Sequence, residues 1–170
     1  MNIPKQIVGY LKSRGLVLAS VETCTAGHLA AQLAEVPGAA GCLDIGLIVH
    51  RGVEAAAMPG VRAETVTRFG PISEAVAREL AEGVLAQRAG HVDVVVASLG
   101  ILPAREEMPV MQCLAWACVH GGQVFSDGET VRLSGNRNEI RRSIVRRALP
   151  GVPRFVDAVI ERLPVIDKEQ

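Results

Sequence analysis

A largely apolar run rich in β-branched residues, at positions 92–97, constrains the fold of this chain more than any other feature. Such a run is typical of a central strand that helices cover on both faces. The preceding segment, 73–87, carries apolar residues at helical spacing, and its first residue, Ser73, is a good N-cap. A helix that leads into a buried strand predicts an α/β fold.

The rest of the chain alternates in the same way. Strands are predicted at 16–21, 42–49 and 111–119, and residues 127–129 indicate a hairpin turn between strands 123–126 and 130–133. Helices are predicted at 3–13, 25–35, 136–148 and 153–163, with a break at 150–153 and short helical turns within 52–67. We therefore expect a three-layer α/β/α sandwich on a mixed, mostly parallel sheet. Residues 1–170 are interpreted as one domain, with its core at 16–149 and the outermost helices at either end.

Charge and composition exclude several classes of function. The 170 residues hold 18 Lys and Arg against 18 Asp and Glu, so the charge that drives nucleic-acid binding is missing. Aromatic residues make up 3%, too few for a base-stacking surface. For these two reasons we expect no nucleic-acid partner. Since no apolar run approaches the ~20 residues of a membrane span, we expect no membrane partner either. The four cysteines form no CxxC pair, which argues against a metal site and favours the reducing cytoplasm.

The turn from Glu22 to Gly27, with the sequence ETCTAG, lies between a predicted strand and a predicted helix. Ligands of open α/β sheets bind at the carboxyl ends of strands, and the loop 98–103 is the second such place. Free N–H groups at a helix start suit a phosphate, or an oxyanion beside a hydroxyl nucleophile. The alternative is that Thr23 or Thr25 simply caps the helix, and the six residues alone favour the cap.

With this turn the chain resembles the CinA C-terminal domain family, whose stand-alone members are nicotinamide-nucleotide amidases. The Glu-Ser-Cys-Thr-Gly-Gly turn of the family stands here as ETCTAG. Three further motifs match, namely PGAA at 37–40, GPISEAVA at 70–77 and GNRNEIR at 135–141. The resemblance covers about residues 16–149. It implies the family fold, hydrolysis of the carboxamide of nicotinamide mononucleotide (NMN) without a metal or other cofactor, and a homo-oligomer.

The resemblance also implies a Ser nucleophile helped by a Tyr and a Lys, and this chain departs from all three. The nucleophile position is Thr23, the Tyr position is His50 and the Lys position is Ala55. A hydroxyl is a poor nucleophile until a base takes its proton, and alanine cannot do so. We therefore interpret the chain as a domain that has lost NMN deamidation and acts as a non-catalytic binding or regulatory protein. The alternative is an active NMN amidohydrolase, or a related small-amide hydrolase, that uses Thr23.

Two residues are candidates for catalysis. Thr23 is the candidate nucleophile, and His50 is the candidate general base because an imidazole has a near-neutral reference pKa. The substrate-binding candidates are Glu22, Thr25, Gly27, Arg51, Ser98, Gly100, Arg137 and Arg141. Each of these residues also has a purely structural interpretation. His50 would be a packing histidine, Glu22 a buried supporting carboxylate, and the arginines solvated surface residues. Leu99 and Leu102, in place of glycines, predict a small, apolar cavity. We also expect His50 to lie beyond hydrogen-bond distance from the Thr23 hydroxyl.

Overall fold

Five strands form one mixed sheet in the order β2-β1-β3-β4-β5. The computed structural model describes residues 2–162, with Glu54 and Ala55 described by their backbone only. The strands are β1 (Leu18–Glu22), β2 (Leu43–Ile48), β3 (Val94–Gly100), β4 (Val110–His120) and β5 (Gln123–Leu133). β1 runs parallel to both of its neighbours, β2 and β3, whereas β4 runs antiparallel to β3 and β5. This is the mixed sheet predicted from the sequence.

Helices cover both faces of the sheet, which confirms the three-layer α/β/α sandwich. The helices are α1 (Ile3–Arg14), α2 (His28–Ala34), α3 (Val53–Ala56), α4 (Ala63–Phe69), α5 (Glu74–Gln87) and α6 (Arg137–Arg162). Alternate residues of β3 divide between the layers: Val94 and Val96 pack with α1, α2 and α6, and Val95 and Ala97 pack with α3 and α5. β3 is buried at every position, as its β-branched run predicts.

Helix ends follow the signals in the sequence. Gly15 ends α1 in the left-handed conformation, with φ of 64°. The side chain of Ser73 accepts a hydrogen bond from the backbone N–H of Val76 and caps α5. The region 52–67 holds the short helix α3 and most of α4, as predicted.

The predicted hairpin turn at residues 127–129 is wrong. β5 runs without interruption through these positions, and Gly128 pairs with Ala115 of β4. The chain reverses instead at Gly121 and Gly122, with φ values of 58° and 75°. Two consecutive positive φ values are what a two-residue hairpin needs, and glycine adopts them without strain.

The predicted break at Pro150 and Pro153 is also wrong, because α6 continues through both prolines to Arg162. Its buried face is continuous across them, and tertiary packing therefore outweighs the helix-breaking tendency of proline. Trp116 of β4 supports this stretch by donating its indole N–H to the carbonyl of Ala148 at 2.9 Å. The predicted end of the last helix, residue 163, lies outside the described residues.

The described part of the chain holds neither a membrane-spanning helix nor a cluster of metal-ligating side chains. No helix there is both long enough and apolar enough to cross a membrane. Within the same residues, no three His, Cys, Asp or Glu side chains are grouped in a way that would hold a metal ion.

Candidate functional site

Thr23 follows β1 directly, and its hydroxyl is held by the backbone of β3. The hydroxyl oxygen accepts the N–H of Gly100 at 2.9 Å, and its proton faces the carbonyls of Ser98 and Gly100, each at 3.1 Å. The Thr23 N–H also donates to Ser98, at 3.1 Å. The side chain is buried, with 6% of its surface exposed. The candidate nucleophile therefore joins the ends of two parallel strands.

A buried glutamine orders the loop beside Thr23. Gln112 of β4 donates to the carbonyl of Ile101 at 2.8 Å and accepts the Cys24 thiol at 3.4 Å. Gly100 makes room for it, because a Cβ there would lie 1.9 Å from the Gln112 amide oxygen. Burial raises the pKa of the Cys24 thiol, so Cys24 stays protonated near neutral pH. Sequence reasoning missed Gln112, although a lone amide in an apolar strand is a usable signal.

The Glu22 carboxylate caps α2 from inside the protein. One oxygen accepts the Thr25 hydroxyl at 2.6 Å and the Leu29 N–H at 2.9 Å, and the other accepts the Ala30 N–H at 3.1 Å. Glu22 is fully buried. These two N–H groups at the start of α2 are therefore not open to a phosphate or an oxyanion. The helix is capped, as the alternative held, but by Glu22 rather than by a threonine.

A cavity of about 500 Å³ opens beside Thr23. It brings together six of the candidate residues, which are Thr23, His50, Arg51, Gly100, Arg137 and Arg141. Its size falls in the range of ligand pockets, and whether it is smaller than an amidase needs stays a prediction. Leu99 and Leu102 both line this cavity, and they also pack against the core, Leu99 on the α5 side and Leu102 on the α6 side.

The other candidates lie away from this cavity. Glu22 is occupied with α2, whereas Thr25 and Gly27 line a separate cavity of about 560 Å³. Ser98 is fully buried, and its hydroxyl has no hydrogen-bond partner among residues 2–162. As substrate-binding candidates, Glu22 and Ser98 are corrected, because neither side chain reaches a cavity wall.

His50 is exposed and, as predicted, is not hydrogen-bonded to Thr23. The Thr23 hydroxyl is hydrogen-bonded to the backbone of Ser98 and Gly100, and the adjacent Cys24 thiol also interacts with the Thr23 side chain. Arg141 is fixed at the same place, since its Nε donates to the carbonyl of Cys24 at 3.3 Å. The cavity thus presents anchored positive charge beside a hydroxyl that the backbone of β3 holds in place.

The fold and these residues match one family of proteins. The model of the CinA C-terminal domain family matches residues 1–156. The chain belongs to this family. A CinA-like protein of Akkermansia muciniphila is 34% identical over 155 residues, covering 89% of this chain and 36% of that protein. The nicotinamide-nucleotide amidohydrolase PncC of Escherichia coli K12 is 32% identical over 155 residues. The match covers 88% of this chain and 90% of PncC.

A solved CinA-family structure agrees with the fold. The competence or damage-inducible protein of Enterobacter asburiae superposes with a TM-score of 0.75 at 25% identity, covering 88% of this chain and 92% of that one. The chain spans about a third of the length of the CinA-like proteins that it matches, but nearly all of PncC. The family predicted from the turn motif is therefore confirmed.

Proposed function

We propose that this CinA-family domain binds a small phosphate-bearing nucleotide, such as NMN, beside Thr23 and does not hydrolyse it. One observation carries the proposal: the Thr23 hydroxyl is bonded to the backbone of Ser98 and Gly100, and the side chain that also interacts with it, the Cys24 thiol, has its pKa raised by burial. PncC of E. coli is named for its action on a nicotinamide nucleotide, which supports the ligand class. The domain then acts as a binding or regulatory module.

Hydrolysis of an amide by Thr23 requires a group that removes the hydroxyl proton as the oxygen attacks the carbonyl. Arginine keeps its proton in proteins, so Arg51, Arg137 and Arg141 cannot serve as that base. The thiol of Cys24 is bonded to Gln112, and its pKa is raised by burial. Position 55, where the family resemblance implies a lysine, is alanine. His50 lines the same cavity but is not hydrogen-bonded to Thr23, and the proton of Thr23 therefore stays on the hydroxyl.

Binding is better supported than catalysis by the lining of the cavity. Arg51, Arg137 and Arg141 present guanidinium groups, which bind phosphate oxygens in bidentate geometry. Apolar side chains, among them Val49 and Ile72, provide a surface for a planar ring. A ligand with one anionic end and one flat ring matches both parts of this wall.

The test combines two measurements on the purified protein. We expect calorimetric titration to show NMN binding, and an ammonia assay with NMN to show no release above the buffer. Arg141→Ala removes the anchored guanidinium and should weaken binding about tenfold. Arg147→Ala is the matched control, because Arg147 lies on the same helix but pairs with Glu129 away from the cavity. Ammonia release that Thr23→Ala abolishes would instead establish the active amidohydrolase.

The proposal includes a homo-oligomer in the cytoplasm. All four cysteines are free, which suits a reducing compartment. Val119 and Val124 pair across β4 and β5 with 45% and 55% of their surfaces exposed, an apolar patch of the kind that interfaces cover. Light scattering coupled to gel filtration should give a multiple of the single-chain mass, and Val119→Lys should lower it.

A further inference from the structure

A row of basic side chains on α6 leads away from the Thr23 cavity. Arg137 and Arg141 line that cavity, whereas Arg142 and Arg146 line a larger cleft of about 1030 Å³. We call this cleft the α1–α2–α6 groove. Its polar and charged lining consists of Asn2, Lys5, His28, Gln32, Glu35, Arg142 and Arg146.

An intermediate cavity shares lining residues with each of the two. Arg141, Arg142 and His28 line this intermediate cavity of about 560 Å³. Arg141 also borders the Thr23 cavity, and Arg142 and His28 also border the groove. A ligand lying over Arg141 and Arg142 would therefore extend into both.

The arginines of this row have no carboxylate partners. Within residues 2–162, Arg137, Arg142 and Arg146 form no ion pair, although they lie at spacings that bring like charges together on a helix. Arginines on other surfaces do find partners: Arg88 pairs with Asp44 at 2.7 Å and Arg147 with Glu129 at 3.1 Å. The neutral net charge of the chain thus hides a local excess of positive charge.

We propose that the α1–α2–α6 groove binds a linear oligophosphate chain. At 1.5 Å per residue, Arg137 and Arg146 are separated by ~13 Å along the helix axis, farther than one phosphate group reaches. The lining of the groove and of the intermediate cavity contains no Phe, Tyr or Trp, and His28 is its one ring, so it offers little surface on which successive nucleobases would stack. Repeated phosphate groups without bases therefore fit better than a nucleic acid.

This inference depends on the proposed function only where the groove meets Arg141. The ligand would be inorganic polyphosphate or the oligophosphate tail of a larger molecule, since the two share the chemistry that the arginines recognise. In either case the binding free energy comes from charge-assisted hydrogen bonds and falls as salt rises.

The experiment is calorimetric titration of the full chain with orthophosphate, tripolyphosphate and single-stranded oligothymidylate. We expect tripolyphosphate to bind at least about tenfold more tightly than orthophosphate, because it contacts more than one arginine. The double variant R142A/R146A should lose about tenfold in tripolyphosphate affinity. The control R147A/R154A removes the same charge from another face of α6, and it should stay within about twofold of wild type.

Several results would overturn the inference. One is a control variant that loses as much affinity as R142A/R146A, since the effect is then one of net charge alone. Equal affinities for orthophosphate and tripolyphosphate would do the same, and oligothymidylate binding as tightly as tripolyphosphate would replace the oligophosphate with a nucleic acid. NMN titration of R142A/R146A separates the two proposals. If the wild type binds tripolyphosphate but does not bind NMN, only the proposed function is overturned.

Discussion

The buried carboxylate of Glu22, at the end of β1, accepts the backbone N–H of Leu29 at 2.9 Å and so fixes the first turn of α2 to the sheet. A strand and the helix that follows it are thereby joined by one side chain. Two N–H groups at the start of α2 are thereby already used by the protein.

Glu22→Gln should destabilise the protein without changing the cavity. An amide has one acceptor oxygen where three donors converge, and its NH2 group would face one of them. Leaving buried donors unsatisfied costs about 1 to 3 kcal/mol each, so we expect a loss of roughly 2 to 4 kcal/mol in the free energy of unfolding. Urea denaturation measures it. Glu35→Gln, an exposed site just beyond the same helix, is the control and should change stability by less than about 0.5 kcal/mol.

Thr23→Val should lower stability because the hydroxyl supports the end of β3. The valine keeps the shape of the side chain but removes the hydrogen bonds with Gly100, at 2.9 and 3.1 Å. A loss of about 1 to 3 kcal/mol is expected, since the Gly100 N–H is left without its partner. Thr23→Ser keeps the hydroxyl and should retain most of the stability. A valine variant as stable as wild type would contradict the structural role given to this hydroxyl.

Gly151→Ala should disturb the contact between α6 and the sheet. A Cβ at this position would lie 2.1 Å from the Trp116 ring, so either the helix or the indole has to move. Overpacking of this kind costs about 1 to 3 kcal/mol. Gly9→Ala in α1 is the control and should have the opposite effect. Nothing lies within 4 Å of a Cβ at position 9, so the higher helix propensity of alanine should raise the free energy of unfolding by about 0.5 to 1 kcal/mol. Thermal unfolding followed by Trp116 fluorescence compares the two variants.

Alkaline pH should destabilise the fold through Cys118. Burial raises the pKa of this thiol from 9.0 to about 11. The unfolded chain releases the proton first, so stability is complete below pH 9 and is lost as pH rises towards 11. Cys118→Ala should flatten this part of the pH profile by roughly 2 kcal/mol.

Val94→Ala is the control for this titration, because Val94 is the neighbour of Cys118 across β3 and β4 and carries no proton. Its profile should run parallel to that of the wild type between pH 8 and 11. If Cys118→Ala gave that same parallel profile, the thiol would have no part in the alkaline loss.

Local patterns determined most of the fold. The apolar run at 92–97 predicted a central strand, and Gly15 and Ser73 predicted helix ends, because each signal acts within a few residues. Both errors came from contacts between distant residues. α6 passes Pro150 because Trp116 and the core hold it, and Gly128 lies within a strand because β4 pairs beside it. Single-sequence patterns do not record such pairings.

The candidate site was predicted in part. The cavity contains Thr23, His50, Arg51 and Arg141 because the ends of neighbouring strands and the start of α6 meet there, as strand order requires. The direction of each side chain was not available from the sequence. Glu22 turns inward to α2. Gln112 of β4, the strand next to β3, orders the loop that the sequence assigned to a ligand.

The central position of β1 has a consequence during synthesis on the ribosome. Its first neighbour, β2, emerges soon after it, but its second neighbour, β3, is made only once residues 94–98 have been translated. Until then one side of β1 exposes unpaired amides to the crowded cell, where they invite pairing with other nascent chains. The order of the strands therefore makes this protein depend on rapid elongation or on chaperones over the middle of its length.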